Sequence, residues 1–280
     1  MKPQLQVPQQ VIDSDVERAL SEDIGSGDIS AGLIPQDSKA VARVITREAG
    51  VLCGQRWATA VFAAVDARCR LDWLAQDGDT LAPGQTLFSV TGPSRALLTA
   101  ERTALNFLQT LSGTATRCDL YRQRIAGQHT RILDTRKTLP GLRMAQKYAV
   151  SCGGCDNHRL GLFDAFLIKE NHIAASGGIA AAVTAARRLA PDKPVEVEVE
   201  SPAELREAIA AGAEQIMLDN FDLDAMRDAV ALAAGCCELE ASGNVTLDTL
   251  AAIAATGVDF VSIGALTKDV QSLDLSMRFD

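Results

Sequence analysis

Between Arg131 and Ile263 the chain alternates short apolar runs with helical segments, and the spacing of that alternation narrows the fold more than any other feature. The runs are Arg131–Leu133, Ala165–Ile168, Val195–Val199, Gln215–Leu218, Cys237–Leu239 and Phe260–Ile263. Polar residues close the middle four at Lys169, Glu198/Glu200, Asp219 and Glu240. The steps from Lys169 to Glu198, Asp219 and Glu240 are 29, 21 and 21 residues, about one strand–helix unit each. Helix signals fill the gaps: Ser201-Pro202-Ala203-Glu204 reads as a capping box with Pro at the first helical position, and Gly212 as its stop. Asp222 and Thr246 cap the next two helices, closed by Gly235 and Gly257. Parallel strands with short loops predict an α/β barrel or an open doubly wound sheet. No GxGxxG opens the run, which argues against a dinucleotide fold.

The preceding residues follow a different pattern. Ala40–Thr46, Val51–Cys53, Leu71–Leu74 and Thr86–Val90 read as strands around a helix near Arg56–Val65, with turns at Asp77-Gly78-Asp79 and Pro83-Gly84. The stretch Asp77–Leu87 is similar to the hairpin turn of biotinyl or lipoyl domains. It lacks the lysine that would be modified, so it reads as architecture. Ser94–Ile125 is a long helical stretch, interrupted near Gly113. This divides the chain into an α+β domain at about 1–110 and an α/β domain at about 111–270, with the tail 271–280 returning to the first.

Bulk properties exclude several classes. No run approaches the roughly 18 to 20 unbroken apolar residues of a membrane span. The segment MKPQLQVPQQVIDSDVERAL has neither the apolar core nor the cleavage site of a secretory leader. Seven cysteines, an odd number without an export signal, point to a reduced, cytoplasmic chain. A net charge of −9 speaks against nucleic acid as partner.

Against that acidic background stands a basic island. From Ile132 to His172 six Lys and Arg (Arg136, Lys137, Arg143, Lys147, Arg159, Lys169) face four acids, and two of the three histidines, His158 and His172, fall inside. Local positive potential in an acidic protein suggests a pocket for an anionic small molecule. In a parallel barrel the active face is the C-terminal ends of the strands. That places Asp134, Arg136, Lys137, Lys169, Glu198, Glu200, Asp219, Glu240 and Ser242 around one mouth. In Val195-Glu196-Val197-Glu198-Val199-Glu200, period-two alternation sends the three Glu to one face and the valines to the other. Carboxylates half-buried there need cations, for which Lys169 and Mg²⁺ are natural candidates. Ser242-Gly243 and Gly264, after the last two strands, suit a phosphate held by backbone N–H groups. Cys152-Gly153-Gly154-Cys155 has the spacing of half a zinc site or a redox pair. Cys236-Cys237 is adjacent rather than spaced, so no second pair completes it, and the surrounding Gly, Asn, His and Arg fit an anion better.

These residues and their order resemble the quinolinate phosphoribosyltransferase family. The likeness is carried by Glu22-Asp23-Ile24-Gly25-Ser26-Gly27-Asp28, Glu101-Arg102-Thr103-Ala104-Leu105-Asn106, Asp134-Thr135-Arg136-Lys137-Thr138, Asn157-His158-Arg159, Ile168-Lys169-Glu170-Asn171-His172, Glu196-Val197-Glu198-Val199, Met217-Leu218-Asp219-Asn220, Glu240-Ala241-Ser242-Gly243 and Ser262-Ile263-Gly264. The blocks run in order along nearly the whole chain.

The resemblance implies an N-terminal α/β sandwich domain followed by an incomplete α/β barrel. It implies a homodimer in which Arg102 reaches the neighbouring subunit's site, and a reaction of quinolinate with phosphoribosyl pyrophosphate that requires Mg²⁺. Arg136, Arg159 and the partner's Arg102 would grip the two carboxylates, a task that suits the guanidinium fork, with His158, Lys169 and Thr138 completing the wall. Lys137 and Lys169 would reach the pyrophosphate side. Glu198 and Asp219 would sit near the ribose, directly or through the metal, and Ser242, Gly243 and Gly264 would hold the 5′-phosphate. A monocarboxylate such as nicotinate would leave buried arginine charge unpaired, which favours the diacid. The intact set of charged residues speaks against a silent phosphate-binding relative. The family usually carries Gly where Cys155 stands, so the expectation is retained activity with sensitivity to thiol reagents.

Overall fold

The computed structural model describes residues 5–280; the first four residues, which begin the segment read above for a leader, lie outside them. In chain order the elements are α1 (Gln9–Ile24), β1 (Lys39–Thr46), β2 (Gly50–Val51), α2 (Gln55–Val65), β3 (Arg70–Trp73), β4 (Thr80–Leu81), β5 (Thr86–Pro93) and α3 (Ser94–Arg124). They continue with β6 (Arg131–Leu133), α4 (Arg143–Cys152), β7 (Phe166–Ile168), α5 (Glu170–Ser176), α6 (Ile179–Leu189), β8 (Val195–Val199), α7 (Pro202–Ala210) and β9 (Gln215–Asp219). The chain closes with α8 (Leu223–Ala233), β10 (Glu238–Ser242), α9 (Leu250–Ala254), β11 (Phe260–Ser262), α10 (Ala265–Lys268) and β12 (Leu275–Phe279). Two units emerge: one takes the residues up to Asp119 with Thr138–Gly154 and Leu266–Asp280, the other Leu120–Lys137 and Cys155–Ala265.

The first unit is built on an antiparallel sheet ordered β12-β1-β5-β3. Ala42 and Val44 of β1 stand opposite Val90 and Phe88 of β5, and all four are buried. Trp57, Ala58, Val61 and Phe62 of α2 and Leu97, Leu105, Leu108 and Leu111 of α3 pack into the same core. Phe88 anchors it, edge-on to Phe62 at 6.2 Å between centroids and tilted against Trp73 at 4.3 Å. Ala145, Tyr148, Ala149 and Cys152 of α4 join this core, which is why their segment groups here. Asp77 of the Asp77-Gly78-Asp79 turn accepts the Gly54 and Gln55 N–H groups at 2.9 and 3.1 Å, satisfying donors at the start of α2.

The sequence reading expects a break at Gly113, but α3 runs unbroken through it. Glycine is needed there for a close approach: a Cβ at position 113 would lie 1.9 Å from the Gln271 carbonyl oxygen. The strand that follows that crossing, β12, completes the sheet by pairing with β1, Met277 opposite Val44.

The second unit is a six-stranded parallel sheet ordered β6-β11-β10-β9-β8-β7. The first strand in sequence and the second lie at opposite edges without pairing, so the barrel is incomplete. Parallel strands buried on both faces ordinarily read as continuous apolar runs; these alternate. Val195, Val197, Val199, Ile216, Leu218, Leu239, Ala241 and Val261 are buried on one face. The register aligns Glu196 with Gln215, Glu198 with Met217, Met217 with Glu240 and Asp219 with Ser242 on the other. That second face is the polar interior. Helix α7 starts as expected, Ser201 Oγ accepting the Glu204 N–H at 3.3 Å, but the Glu204 carboxylate reaches the Glu200 N–H at 2.7 Å, one residue upstream of a standard box. Asp222 caps α8 through the Ala225 N–H at 2.8 Å. Thr246 heads a turn instead, and α9 begins only at Leu250.

The packing at Gly113 generates a test. Gly113→Ala forces a methyl group into the backbone near Gln271 and should cost about 1–3 kcal/mol, seen as a fall in Tm of at least about 2 °C. An unchanged melting curve would contradict the close approach.

Candidate active site

Each strand of the parallel sheet delivers chemistry at or just beyond its C-terminal end. Asp134, fully buried after β6, accepts the His158 N–H at 2.9 Å through Oδ1 and the Asn157 Nδ2 at 2.7 Å through Oδ2. One carboxylate thus fixes the segment that carries Asn157, His158 and Arg159. The His158 ring turns inward: Nε2 lies 2.9 Å from Glu196 Oε2 and 3.4 Å from Glu240 Oε2. Its Nδ1 accepts the Arg159 N–H at 2.8 Å. Gln215, on the strand between those two carboxylates, donates to Glu240 Oε2 at 2.7 Å and to Glu196 Oε1 at 3.2 Å.

Electrostatics follow from that geometry. Burial alone lowers the proton affinity of His158, but hydrogen bonds and charge from Glu196 and Glu240 more than offset it, so the pKa is raised. The Arg159 amide at Nδ1 works against a proton on that nitrogen, so the proton facing the carboxylates is the one on Nε2. Glu196 is pushed up to about 7, first by burial and then by the Glu240 charge, against the pull of His158. Arg159 is lowered, first by burial and then by the guanidinium of Arg136.

Around the mouth, Lys169 pairs with Glu198 through Nζ and Oε2. Asp219 accepts from the Asn220 side chain at 3.0 Å. Lys137 is exposed, and its aliphatic chain passes Gly264 so closely that a Cβ there would lie 2.9 Å from Cδ. Gly243 has φ +111°, and a Cβ would meet Asn220 Oδ1 at 2.2 Å, so only glycine fits. Arg136, Lys137, His158, Arg159, Lys169, Glu198, Asp219, Ser242, Gly243 and Gly264 all belong to the parallel unit. Arg102, exposed on α3, and Thr138, whose Oγ1 accepts from Arg143 Nε at 3.1 Å, belong to the first.

Sequence reasoning gave Gln215 no role and took Glu196 and Glu240 only as members of a pattern. The signal was present in the alternation of β8–β10, where polar residues recur on one face of strands that ought to be apolar throughout. The two cysteines of the Cys152–Cys155 run fall in different units and both are buried. Cys152 instead lies with Cys53 and Asp77, their candidate ligand atoms within 4.8 Å of one another. The Asp77 carboxylate is already committed to the start of α2 and to the Tyr148 hydroxyl at 2.8 Å, so the trio reads as packed core.

An incomplete parallel barrel whose mouth mixes paired guanidiniums, lysines, carboxylates and glycine turns defines an enzyme for a polyanionic small molecule. The chain belongs to the quinolinate phosphoribosyltransferase family. Residues 27–112 match the family described as "Quinolinate phosphoribosyl transferase, N-terminal domain" and residues 114–278 its C-terminal counterpart. It is 42% identical over 257 residues to the "Probable nicotinate-nucleotide pyrophosphorylase [carboxylating]" of Bacillus subtilis, covering 91% of this chain and 89% of that protein. Its likeness to the protein of the same description from Synechocystis is 44% over 272 residues, 96% of this chain and 92% of that one. Among solved structures, the nicotinate-nucleotide pyrophosphorylase of Francisella tularensis superposes with a TM-score of 0.96 at 49% identity, over 98% of both chains.

The cysteine placement predicts an ordered thiol titration. In the native protein Cys236 is exposed and reacts first, with Cys237 slower; Cys53, Cys69, Cys118, Cys152 and Cys155 respond only on unfolding, so burial removes the thiol sensitivity expected at Cys155 from the sequence. Cys236→Ser should remove the fast phase of a chromogenic disulfide reagent. A fast phase that survives would place another thiol at the surface.

Proposed function

We propose that this chain joins quinolinate to phosphoribosyl pyrophosphate at the strand ends just described, giving nicotinate mononucleotide, pyrophosphate and CO₂ for NAD synthesis. The observation that carries the site assignment is the closeness of two guanidiniums beyond the strand ends, Arg136 standing near enough to Arg159 to lower its pKa. Quinolinate brings two adjacent carboxylates, and a guanidinium fork binds each in bidentate fashion. Arg102 of a second copy supplies the third cation. In support of that second copy, Leu98 and Arg102 share a face of α3 at i, i+4 spacing. Beside them Ile29 and Leu33 are 92% and 85% exposed in a turn tied to α3 by Thr99–Asp28 and Arg95–Ile34 hydrogen bonds of 2.8 and 2.7 Å. An apolar patch rimmed by a functional arginine suits an interface in a homodimer.

The reaction needs no covalent enzyme intermediate. The glycosidic C–O bond to pyrophosphate breaks as the ring nitrogen of quinolinate bonds to the anomeric carbon, and pyrophosphate leaves with the bonding pair. Glu198 and Asp219 face the oxocarbenium-like ribose, while Lys169, already paired with Glu198, and Lys137 face the departing pyrophosphate. Ser242, Gly243 and Gly264 take the 5′-phosphate on hydroxyl and backbone donors, with Lys137 alongside Gly264. Once the ring nitrogen is quaternised, the C2–carboxylate bond breaks to release CO₂, and the electron pair left at C2 is stabilised by the adjacent positive nitrogen until it takes a proton. Positioning and electrostatic complementarity supply the rate.

Carboxylate oxygens on the same face of adjacent strands, beside phosphate ligands, are the donor set Mg²⁺ takes, so Glu198 and Asp219 would hold it. Bound there, the ion would neutralise pyrophosphate charge. Among the described residues no helix is long and apolar enough to cross a membrane; seven cysteines, an odd number, suit a reducing, cytoplasmic setting.

Three outcomes test this reading. Quinolinate, phosphoribosyl pyrophosphate and Mg²⁺ should yield nicotinate mononucleotide and CO₂ in equal amounts, with none from nicotinate; absence of product under any metal condition would sink it. Chelation should abolish turnover and Mg²⁺ restore it, with Asp219→Asn requiring more metal. Arg102→Ala and Arg159→Ala should each be inactive as homodimers yet recover turnover when co-expressed, because one mixed site is intact; no recovery would remove Arg102 from the partner's site.

A further inference from the structure

Two buried carboxylates point into a site that receives a dicarboxylate and a pyrophosphate. Near such ligands they are repulsive unless they serve the protein's own cations. Glu240 is fully buried and Glu196 nearly so. Both converge on His158 Nε2, and Gln215 on the intervening strand ties them together through one amide. The imidazole then passes the constraint on, because its Nδ1 accepts the Arg159 N–H. Asp134 holds the same segment from the end of β6. The Arg159 guanidinium is steadied in turn by the Ala165 carbonyl at 3.2 Å.

We infer that Glu240 and Glu196, bridged by Gln215, are positioning residues for the quinolinate wall: they seat His158 from inside the sheet and so set where Arg159 stands. This rests on the assignment of Arg159 to quinolinate. The three ligand atoms of His158, Glu196 and Glu240 are also close enough together to hold a cation. The Gln215 N–H groups already donate to both carboxylates, however, and His158 Nε2 faces both, so the three groups are committed to one another. The role is specific to one substrate. The 5′-phosphate residues Ser242, Gly243 and Gly264 stand on other segments, after β10 and β11, so loosening the segment that carries Arg159 should weaken quinolinate and leave phosphoribosyl pyrophosphate unaffected.

Steady-state kinetics on Glu240→Gln, with folding checked by circular dichroism and melting, should give a KM for quinolinate raised about tenfold, as expected for one lost charge-assisted hydrogen bond. The KM for phosphoribosyl pyrophosphate and kcat should stay within about twofold, and Glu240→Leu should be worse than Glu240→Gln. An unchanged quinolinate KM, or an equal rise for both substrates, would overturn the inference. Gln215→Met keeps the bulk and removes only the bridge, so it serves if the Glu240 variants do not fold. With three histidines in the chain, ¹⁵N-labelled imidazole signals give a readout independent of turnover. The signal lost in His158→Gln should shift in Gln215→Met while those of His129 and His172 stay in place; a stationary His158 signal would refute the link. If the wild-type protein fails to convert quinolinate, the functional assignment falls, and the imidazole signals still decide whether the carboxylates hold His158.

Discussion

The structure depends on how a parallel sheet disposes of charge on its inner face. Strands β8, β9 and β10 bury valine, isoleucine, leucine and alanine on the helix side, and present Glu196, Glu198, Gln215, Asp219, Glu240 and Ser242 on the other. Carboxylates in a low-dielectric interior are tolerable only beside cations or hydrogen-bond donors. His158 answers Glu196 and Glu240, and Lys169 answers Glu198. The deeper acids are thus answered from inside the sheet, by an imidazole and an amide. On the function proposed above, that arrangement separates the acids that brace the protein from the cations that bind the substrate.

That separation explains why the local backbone is built as it is. Asp134 spends both carboxylate oxygens on the Asn157–His158 segment, so the loop carrying Arg159 is held as firmly as a strand end. The glycines at 243 and 264 stand where a Cβ would strike Asn220 or Lys137. In the other unit, the same close-approach logic operates at Gly113, where the chain crosses α3 on its way to β12. Glycine in each case marks a close approach by another part of the chain, a side chain at 243 and 264 and the backbone at 113, where the helix stays intact.

Much of this was legible in the order of residues. The strand–helix period after Arg131, the Ser201 and Asp222 caps and the Val-Glu alternation give the α/β class directly, since each is local and each obeys a simple period. The family blocks, from Glu22 to Gly264, carry the activity. Gly113 misled because a glycine inside a helical pattern has two physical meanings, a break or a close approach, and its neighbours in sequence are the same in both. Thr246 misled for a similar reason: a hydroxyl able to cap a helix caps a turn just as well.

The sequence by itself determined the strand–helix repeat, the inward face of each central strand and the chemical types gathered at the strand ends, because these follow from periodicities of two and 3.6 and from spacing along one chain. Only the tertiary structure decided which groups are partnered. Gln215, Glu196, Glu240 and His158 come from four separate segments: adjacent strands bring positions 19 and 25 residues apart to within 3.2 Å, and the segment before β7 brings His158 to within 3.4 Å of both carboxylates. Whether a charged side chain braces the interior or waits for substrate depends on those distances, and sequence separation does not contain them.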